Sequence, residues 1–406
     1  MSQYNLKSLD TPKFTSPDLK EIFKTFLYLG LTAFGGLLMI VNINKKIVKE
    51  KQWFSDKEFL DGLDLCQTIP GATIIQLCSY IGLKLQGISG AAVSLVGFMA
   101  PSFLFIIFFS YFYILTKGSD FTKDIFMNLQ TVVVALMIQA SFVIGKMNIK
   151  NSKSFLIAII GTILFWLKFS SFMTIFLSAI LGLFFFNNIK VNLKQDSTVE
   201  GRYVVFKNLK SILFMFLILT SVLLFSFFYN KHLYNLSSSF VKISIVSFGS
   251  GYSGTSLMFK EIVEKYHLIS PQTFLDGMIF GRVTPGPGMV SVFIGFVTFG
   301  ILGAVIAMTS IYLPALIVLI TVEPIFSKLK NFWIFQRIIM SILSSFVGLL
   351  INVTFTFATL ISWDIKQFVI LVASFTALSL KVSPLWVILT TAIVSIVLNV
   401  FMMIHI

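Results

Sequence analysis

Two similar stretches lie far apart in this chain: residues 59–71 read FLDGLDLCQTIPG, and residues 274–286 read FLDGMIFGRVTPG. The second begins 215 positions after the first, and both end in the same proline–glycine step. Residues on either side match at offsets of 213 to 215, among them Lys45 with Lys260, Phe34-Gly35 with Phe248-Gly249, Pro101 with Pro314, and Lys168 with Lys381. A constant offset indicates a duplicated unit, which is typical of many secondary transporters.

The composition points to a membrane environment. Apolar residues make up 56% of the 406 residues and charged residues 12%, about half the charged share of a soluble domain. Several apolar runs are long enough to span a bilayer core of roughly 30 Å. They include Ile125–Gly145, Ser211–Tyr229, Ile301–Thr321 and Leu385–Met403. The composition therefore predicts an all-α, polytopic transmembrane protein embedded in a lipid bilayer.

The basic excess is best explained by the same environment. A formal net charge of +14 would suggest a nucleic-acid partner in a soluble protein. Here the basic residues lie in short loops between apolar runs, where they suit the cytoplasmic face and anionic lipid headgroups. We therefore expect no nucleic-acid partner. The start of the chain is polar and has no short apolar core, so we expect no cleaved signal peptide.

Catalytic and metal-binding patterns are missing from the sequence. Cys66, Cys78 and the three histidines match no metal-ligand spacing, and no nucleophile stands beside a base. A phosphate-binding loop of the form GxxxxGK[ST] is also absent. We therefore expect no enzyme activity, no cofactor and no metal. Transport would then be driven by an ion gradient or by the membrane potential.

We divide the chain into a polar tail at 1–21, a first repeat at 22–187, a basic and presumed cytoplasmic linker at 188–210, and a second repeat with a leading linker helix at 211–406. Seven expected crossings separate the starts of the repeats, and they include Ile22–Ile43 and Leu63–Lys84. An odd number predicts that the repeats are inverted. This count places the five lysines of Lys45–Lys57 outside. If Leu63–Lys84 is re-entrant, those lysines move inside.

Each repeat interrupts its apolar runs with a glycine cluster and then with a proline–glycine break. The clusters are Phe34-Gly35-Gly36 in one repeat, and Phe248, Gly249 and Gly251 in the other; the break residues are Gln67, Pro70, Gly71 and Thr73 in one, and Arg282, Thr284, Pro285, Gly286, Pro287 and Gly288 in the other. Unwound backbone inside a membrane is tolerated where it lines a cavity, and the restarting helix offers free N–H groups. We expect these residues to form a small-anion site. The alternative is that they are kinks in helices that bind nothing.

Five charged residues lie in or between the apolar segments. Arg282 precedes the second break, and its planar guanidinium suits a tetrahedral oxyanion; it could instead pair with Asp276 or Glu264, or extend to the interface. Asp61 and Asp276 are candidates for proton relay or charge pairing, with a structural role at a helix end as the alternative. Lys168 and Lys381 occupy equivalent turns, where reaching toward the interface competes with a role in substrate binding.

At these residues the chain resembles the chromate ion transporter (CHR) family. The similar segments are Phe34-Gly35-Gly36, Trp53-Phe54-Ser55, Glu58–Asp61, Cys66-Gln67, Pro70-Gly71 with Gln76, Phe248–Tyr252, Phe274–Gly277 and Thr284–Pro287. The resemblance covers nearly the whole chain and implies the long, two-domain form. The chain departs from the family pattern at Leu37 and Ala72, where proline is usual, at Ser250, where glycine is usual, and at Arg282, where glutamine is common.

The resemblance implies a multi-pass protein of the inner (plasma) membrane that exports chromate and confers chromate resistance. Sulfate has the same charge and shape, so a carrier for sulfate or another oxyanion is an alternative. An anion channel is a second alternative, which saturation and counterflow would distinguish from a carrier. The expected partners are the oxyanion, the lipid bilayer and, as a candidate, a second copy of the chain in a homodimer.

Overall fold

The computed structural model describes residues 17–32, 37–116, 120–186, 209–248, 251–286, 289–326, 329 and 332–405. These residues are helical apart from short connections and one isolated β-bridge, between Pro70 and Phe248. The helices are α1 Leu19–Thr32, α2 Leu37–Asn44, α3 Asp56–Thr68, α4 Thr73–Thr116, α5 Asp120–Asn148, α6 Ser152–Trp166, α7 Ser171–Phe185, α8 Leu209–Tyr229, α9 Lys231–Val246, α10 Gly251–Met258, α11 Pro271–Val283, α12 Val290–Val322, α13 Trp333–Thr359, α14 Ile365–Ser379 and α15 Pro384–His405. The polar tail and the basic linker lie almost wholly outside the described residues.

Six of these helices are long and apolar enough to cross a membrane. Three shorter helices, α6, α7 and α14, are also apolar and have 15 residues each. The middle of α5 lies at the centre of the molecule, because residues 132–137 are buried on every side. Side chains on α8 face outward along most of their length, as expected for a helix in contact with lipid.

The first two helices pair side by side instead of forming one crossing. Lys51, just beyond the π-helical segment Lys45–Glu50 that continues α2, lies 2.7 Å from Glu21 at the start of α1, and the Lys46 ammonium lies over the Tyr28 ring. The two helices therefore run antiparallel.

A further hairpin in the first repeat, formed by α3 and the start of α4, contains the first proline–glycine break. A β-carbon added at Gly62 on α3 would collide with the Tyr80 ring on α4, although 18 residues separate these positions. Two collinear helices would hold them about 27 Å apart. The chain therefore reverses at Pro70-Gly71, where Gly71 has a φ of +127°.

α4 itself consists of two antiparallel arms, a short arm at 73–85 and a long arm at 88–116. Gln86 and Gly87 leave the helical conformation, and Gly87 has a φ of +62°. Gly82 and Gly90 pack so closely that a β-carbon on either would collide with the carbonyl oxygen of the other. The expected crossing of Leu63–Lys84 is therefore wrong, as is that of Ile22–Ile43. Both segments are apolar enough to span, but each turns back on itself.

These two corrections leave the parity of crossings unchanged. The long arm of α4, then α5, α6, α7 and α8, are the crossings between the start of the first repeat and the start of the second. Five crossings replace seven, and the number is still odd. The five lysines of Lys45–Lys57 move to the side that also holds the end of α7 and the start of α8. Lys210, in the first turn of α8, lies on this side too.

The second repeat follows the same plan. π-Helical segments occupy Lys45–Glu50 and Phe259–Lys265, at matching places. Phe299 and Gly300 interrupt α12 with backbone angles within 4° of those at Gln86 and Gly87, dividing it into a short arm at 290–298 and a long arm at 301–322. The internal duplication in the sequence is thus a duplication of structure.

The relation between the repeats is an inversion. α5 and α13 are equivalent, and they pack against each other with Ser141 Oγ 3.3 Å from Thr354 Oγ1, its equivalent 213 positions later. Gly145, one turn further along α5, lies against Val347, two turns earlier on α13. The helices are therefore antiparallel where they meet. An axis that relates two antiparallel helices is perpendicular to them, so it lies in the membrane plane. The inverted arrangement is confirmed.

Candidate functional site

The two proline–glycine turns each reach into the opposite repeat. We call Pro70-Gly71 the first tip and Pro285-Gly286 the second tip. At the first tip the Gly71 N–H donates to the Ser247 carbonyl at 2.7 Å. Gln76 Nε2 donates to the Pro70 carbonyl at 2.7 Å and to the Ala315 carbonyl of the second repeat at 3.2 Å. The first tip is therefore fixed to the end of α9 and to α12.

The second tip makes the equivalent contacts with the first repeat. Ser102 Oγ donates to the Pro285 carbonyl. Gly286 has a φ of +76°, and a β-carbon there would lie 3.0 Å from the Gly30 carbonyl oxygen. Ser102 and Ala315 are equivalent positions, so both tips meet the long arm of the other repeat's broken helix. The positive φ and the close approach explain why glycine occupies this position.

Buried polar atoms near the tips lack partners within the described chain. Thr284, adjacent to Pro285, is 2% exposed, and its Oγ1 makes no hydrogen bond there. Gln76 Oε1, beside the first tip, is likewise buried and unpaired among described residues. Buried polar groups are usually satisfied by protein, water or a ligand. The short arms that begin at Thr73 and Val290 add N–H groups with no carbonyl in their own helix.

Arg282 lies in the last turn of α11, beside the second tip. Its guanidinium stacks on the Tyr252 ring at 4.2 Å, at the start of α10. It forms none of the ion pairs found between described residues. The two acids considered as partners have others, because Glu264 pairs with Lys260, and Asp276 accepts from Tyr113 and Gln130. The stacking places Arg282 beside Tyr252, the residue that follows Gly251.

Some of the predicted site residues are exposed, and others lie outside the described residues. Gln67, the counterpart of Arg282, is exposed, as are Asp61 and Gly251, whereas Thr73 is buried and Phe248 partly buried. Phe34, Gly35, Gly36, Gly249, Pro287 and Gly288 lie outside the described residues. The part of the expected site that can be described is therefore the two tips with Thr73, Thr284, Phe248 and Arg282.

The paired charged residues occupy different surroundings. Asp61 and Asp276 lie inside α3 and α11, not at helix ends. The glycine after each packs against an aromatic ring of the next helix. Lys168 and Lys381 are exposed, with φ of 58° and 65°, at the turns after α6 and α14.

Several residues in these contacts were missed by sequence reasoning as site residues. Gln76, Ser102, Ser247 and Tyr252 contact the tips or Arg282. Gln76 and Tyr252 lie in the segments that resemble the family, so the sequence did contain a pattern that could have identified them. Ser102 and Ser247 are ordinary small polar residues in apolar helices and carry no such signal.

No group of three or more metal-ligating side chains occurs among the residues described. Cys66 and Cys78 are both buried as free thiols. The chemistry available at the tips is therefore hydrogen-bond donation by backbone and hydroxyl groups, together with the charge of Arg282. Such donors bind anions without changing them covalently.

Comparison with known proteins gives consistent matches. A family model described as chromate transporter matches residues 20–183 and again residues 234–396. An uncharacterized transporter of Methanocaldococcus jannaschii is 35% identical over 384 residues, which is 94% of this chain and 94% of that protein. The chromate transport protein of Cupriavidus metallidurans is 26% identical over 76% of this chain and 75% of its own. A probable chromate transport protein of Synechococcus elongatus is also 26% identical, over 76% and 77%. No solved structure matches the chain.

Proposed function

Because this chain belongs to the chromate transporter family, we propose that it is a secondary carrier that moves chromate, a small divalent oxyanion, across the membrane. The observation that carries the proposal is the crossed placement of the tips. Each Pro-Gly turn is fixed to the opposite, inverted repeat, with buried polar atoms and an arginine beside the second tip. Interrupted helices at matching places in two inverted repeats are where carriers hold their substrates.

The anion would be held mainly by groups that donate hydrogen bonds. The Thr284 hydroxyl and the first N–H groups of the short arms supply neutral donors, and Arg282 supplies a full positive charge. A dianion that leaves water loses strong hydration, and helix termini contribute only about half a charge each. The arginine would offset part of that loss. The unpaired Gln76 Oε1 is an acceptor and would face a water or a protonated oxygen.

The orientation follows from the basic residues. The lysines of Lys45–Lys57, Lys150 in the α5–α6 connection and Lys210 at the start of α8 share one side of the crossing helices. Positively charged loops stay in the cytoplasm. We therefore assign this side to the cytoplasm, and we assign to the outside the base of the hairpin that carries the second tip, formed by α11 and the short arm of α12. Residence in the inner membrane and export of chromate belong to this proposal, with a gradient or the membrane potential as the driving force.

Alternating access would use the crossed tips. When one repeat rocks against the other, each tip moves relative to the long arm that it contacts. The cytoplasmic and external entrances would then open in turn. A carrier of this kind saturates with substrate and exchanges labelled for unlabelled anion.

Reconstitution tests the proposal directly. Purified protein in proteoliposomes should take up labelled chromate with saturation and should show counterflow, and excess sulfate should compete if the site reads charge and shape. Imposed voltage and pH gradients would identify the driving force. Unitary currents without counterflow would show an anion channel, and absence of any oxyanion movement would refute the proposed function.

A further inference from the structure

Asp276 is a buried acid at a contact between the two repeats. Its side chain is 5% exposed on α11, in the hairpin that carries the second tip. Tyr113 at the end of the long arm of α4 donates its hydroxyl to Asp276 Oδ2 at 2.8 Å. Gln130 on α5 donates through Nε2 to Asp276 Oδ1 at 2.8 Å. Both donors belong to the first repeat, so one carboxyl group ties the second hairpin to the helices of the opposite repeat.

The duplication supplies a comparison for this contact. The equivalent acid, Asp61, is exposed. The positions equivalent to Tyr113 and Gln130 hold Phe326 and Leu343, neither of which can donate a hydrogen bond from its side chain. The second acid has therefore acquired two donors that the first repeat's acid lacks. Packing alone does not require this, since the aromatic ring is retained at the equivalent position.

The other ionisable groups near α11 form contacts with other residues or lie at a different depth in the membrane from Asp276. On the π-helical segment Lys260 pairs with Glu264, and Lys265 with Glu261. Arg282, which lies on α11 with Asp276, stacks on Tyr252. On α5, Lys123 and Asp124 lie up to two turns before Gln130. The described side chains of α12 and α15 include no ionisable group beyond Tyr312. Tyr113 is the ionisable group hydrogen-bonded to Asp276.

We propose that Asp276 binds and releases a proton during each transport cycle and thereby couples oxyanion movement to proton movement; this rests on the function proposed above. In the charged state the carboxylate accepts from Tyr113 and Gln130, and both bonds are charge-assisted. A proton taken from water on one side of the membrane adds to Oδ2. The new O–H then faces the Tyr113 hydroxyl, which must rotate to accept it.

Protonation therefore exchanges two strong bonds for weaker neutral ones, and the second hairpin is released from α4 and α5. After the hairpin has moved, the proton leaves to water on the opposite side, and the charged carboxylate binds its donors again. The only bond formed and broken is the O–H bond of Asp276. No oxidant, reductant or other reactant takes part.

The test compares Asp276→Asn with Asp61→Asn in proteoliposomes. Chromate uptake and counterflow are measured from pH 5 to 8, and proton movement is followed with a pH dye trapped inside. For the wild type we expect anion-dependent proton flux and a rate that changes about tenfold per pH unit on its limiting side, as for one titrating group. Asp276→Asn should abolish the proton flux and flatten the pH profile while counterflow continues. Asp61→Asn should keep the wild-type pH midpoint.

Tyr113→Phe provides a second measurement that does not depend on removing the acid. It deletes one donor to the charged form while keeping the ring, so the midpoint of the pH profile should move to higher pH. A wild-type profile in Asp276→Asn, or an unchanged midpoint in Tyr113→Phe, would overturn the coupling proposal. If Asp276→Asn fails to fold, Tyr113→Phe decides alone. Chromate counterflow by the wild type with no proton movement also refutes coupling but leaves the carrier function standing.

Discussion

Replacing Arg282 with glutamine should weaken oxyanion binding and leave the fold intact. The change removes the positive charge and keeps hydrogen-bonding capacity. The lost contact with Tyr252 is a cation–π interaction of about 0.5–1 kcal/mol at a partly exposed site. This loss is small beside the usual stability of a folded protein, so membrane expression should not change.

The expected size of the binding effect follows from the type of hydrogen bond. A bond to a charged group contributes about 1.5–3 kcal/mol, and a neutral bond about 0.5–1.5 kcal/mol. The difference of roughly 1–1.5 kcal/mol corresponds to a five- to tenfold rise in apparent KM for chromate. Arg282→Lys should lie between these values, because it keeps the charge and loses the planar fork.

Arg337 provides a matched control. Its guanidinium also stacks on an aromatic ring, the indole of Trp333, at the same distance of 4.2 Å. This contact lies at the start of α13, away from the tips. Arg337→Gln should therefore leave the apparent KM unchanged. Uptake of chromate and of sulfate is measured for both variants at equal protein density. If Arg282→Gln transports both anions with the wild-type KM, Arg282 is structural, and the site rests on backbone amides with Thr73 and Thr284.

Three further predictions concern the architecture. Gly286→Ala should reduce transport more than about tenfold without preventing insertion, because a β-carbon would meet Ser102 Oγ at 2.5 Å and strain a positive φ; normal uptake would show that the second tip is loosely packed. Glu323→Lys should break the inter-repeat pair with Lys84 and impair counterflow, and the double exchange with Lys84→Glu should restore it; no rescue would mean that the pair is incidental. Cysteines placed at Lys168 and Lys381 should be labelled from opposite sides of the membrane, and labelling of both from one side would contradict the inversion.

The duplication and the helical class were predictable because they depend on patterns that persist over the whole chain. The number of crossings was not, since hydropathy measures the length of an apolar run and not its direction. Leu63–Lys84 is long enough to span, yet Pro70-Gly71 reverses it. The turn at Gly87 escaped notice because helical residues surround it closely on both sides. Two expected crossings, Ile22–Ile43 and Leu63–Lys84, were therefore wrong, and removing both leaves the number of crossings odd.

The candidate site was predictable only where a backbone rule applied. Proline and glycine marked both tips, and Arg282 stood out as a charge in an apolar run. What the tips would contact depended on how the repeats pack, which no local pattern encodes. Ser102 illustrates the limit, because a buried serine that donates to the Pro285 carbonyl reads in sequence like any serine in a membrane helix.

The two ends of the long arm of α4 show how the two copies of an inverted duplication can become chemically different. At one end, next to the turn at Gly87, Lys84 pairs with Glu323 of the second repeat. At the other end, Tyr113 bonds Asp276. By the offset of 213, Lys84 corresponds to a valine, and Tyr113 to Phe326, so neither contact has a copy on the other side. Two identical repeats related by an in-plane axis would respond equally to both sides of a membrane. The ion pair at one end and the buried carboxyl contact at the other make the two ends of this arm chemically different, so the two repeats are no longer equivalent.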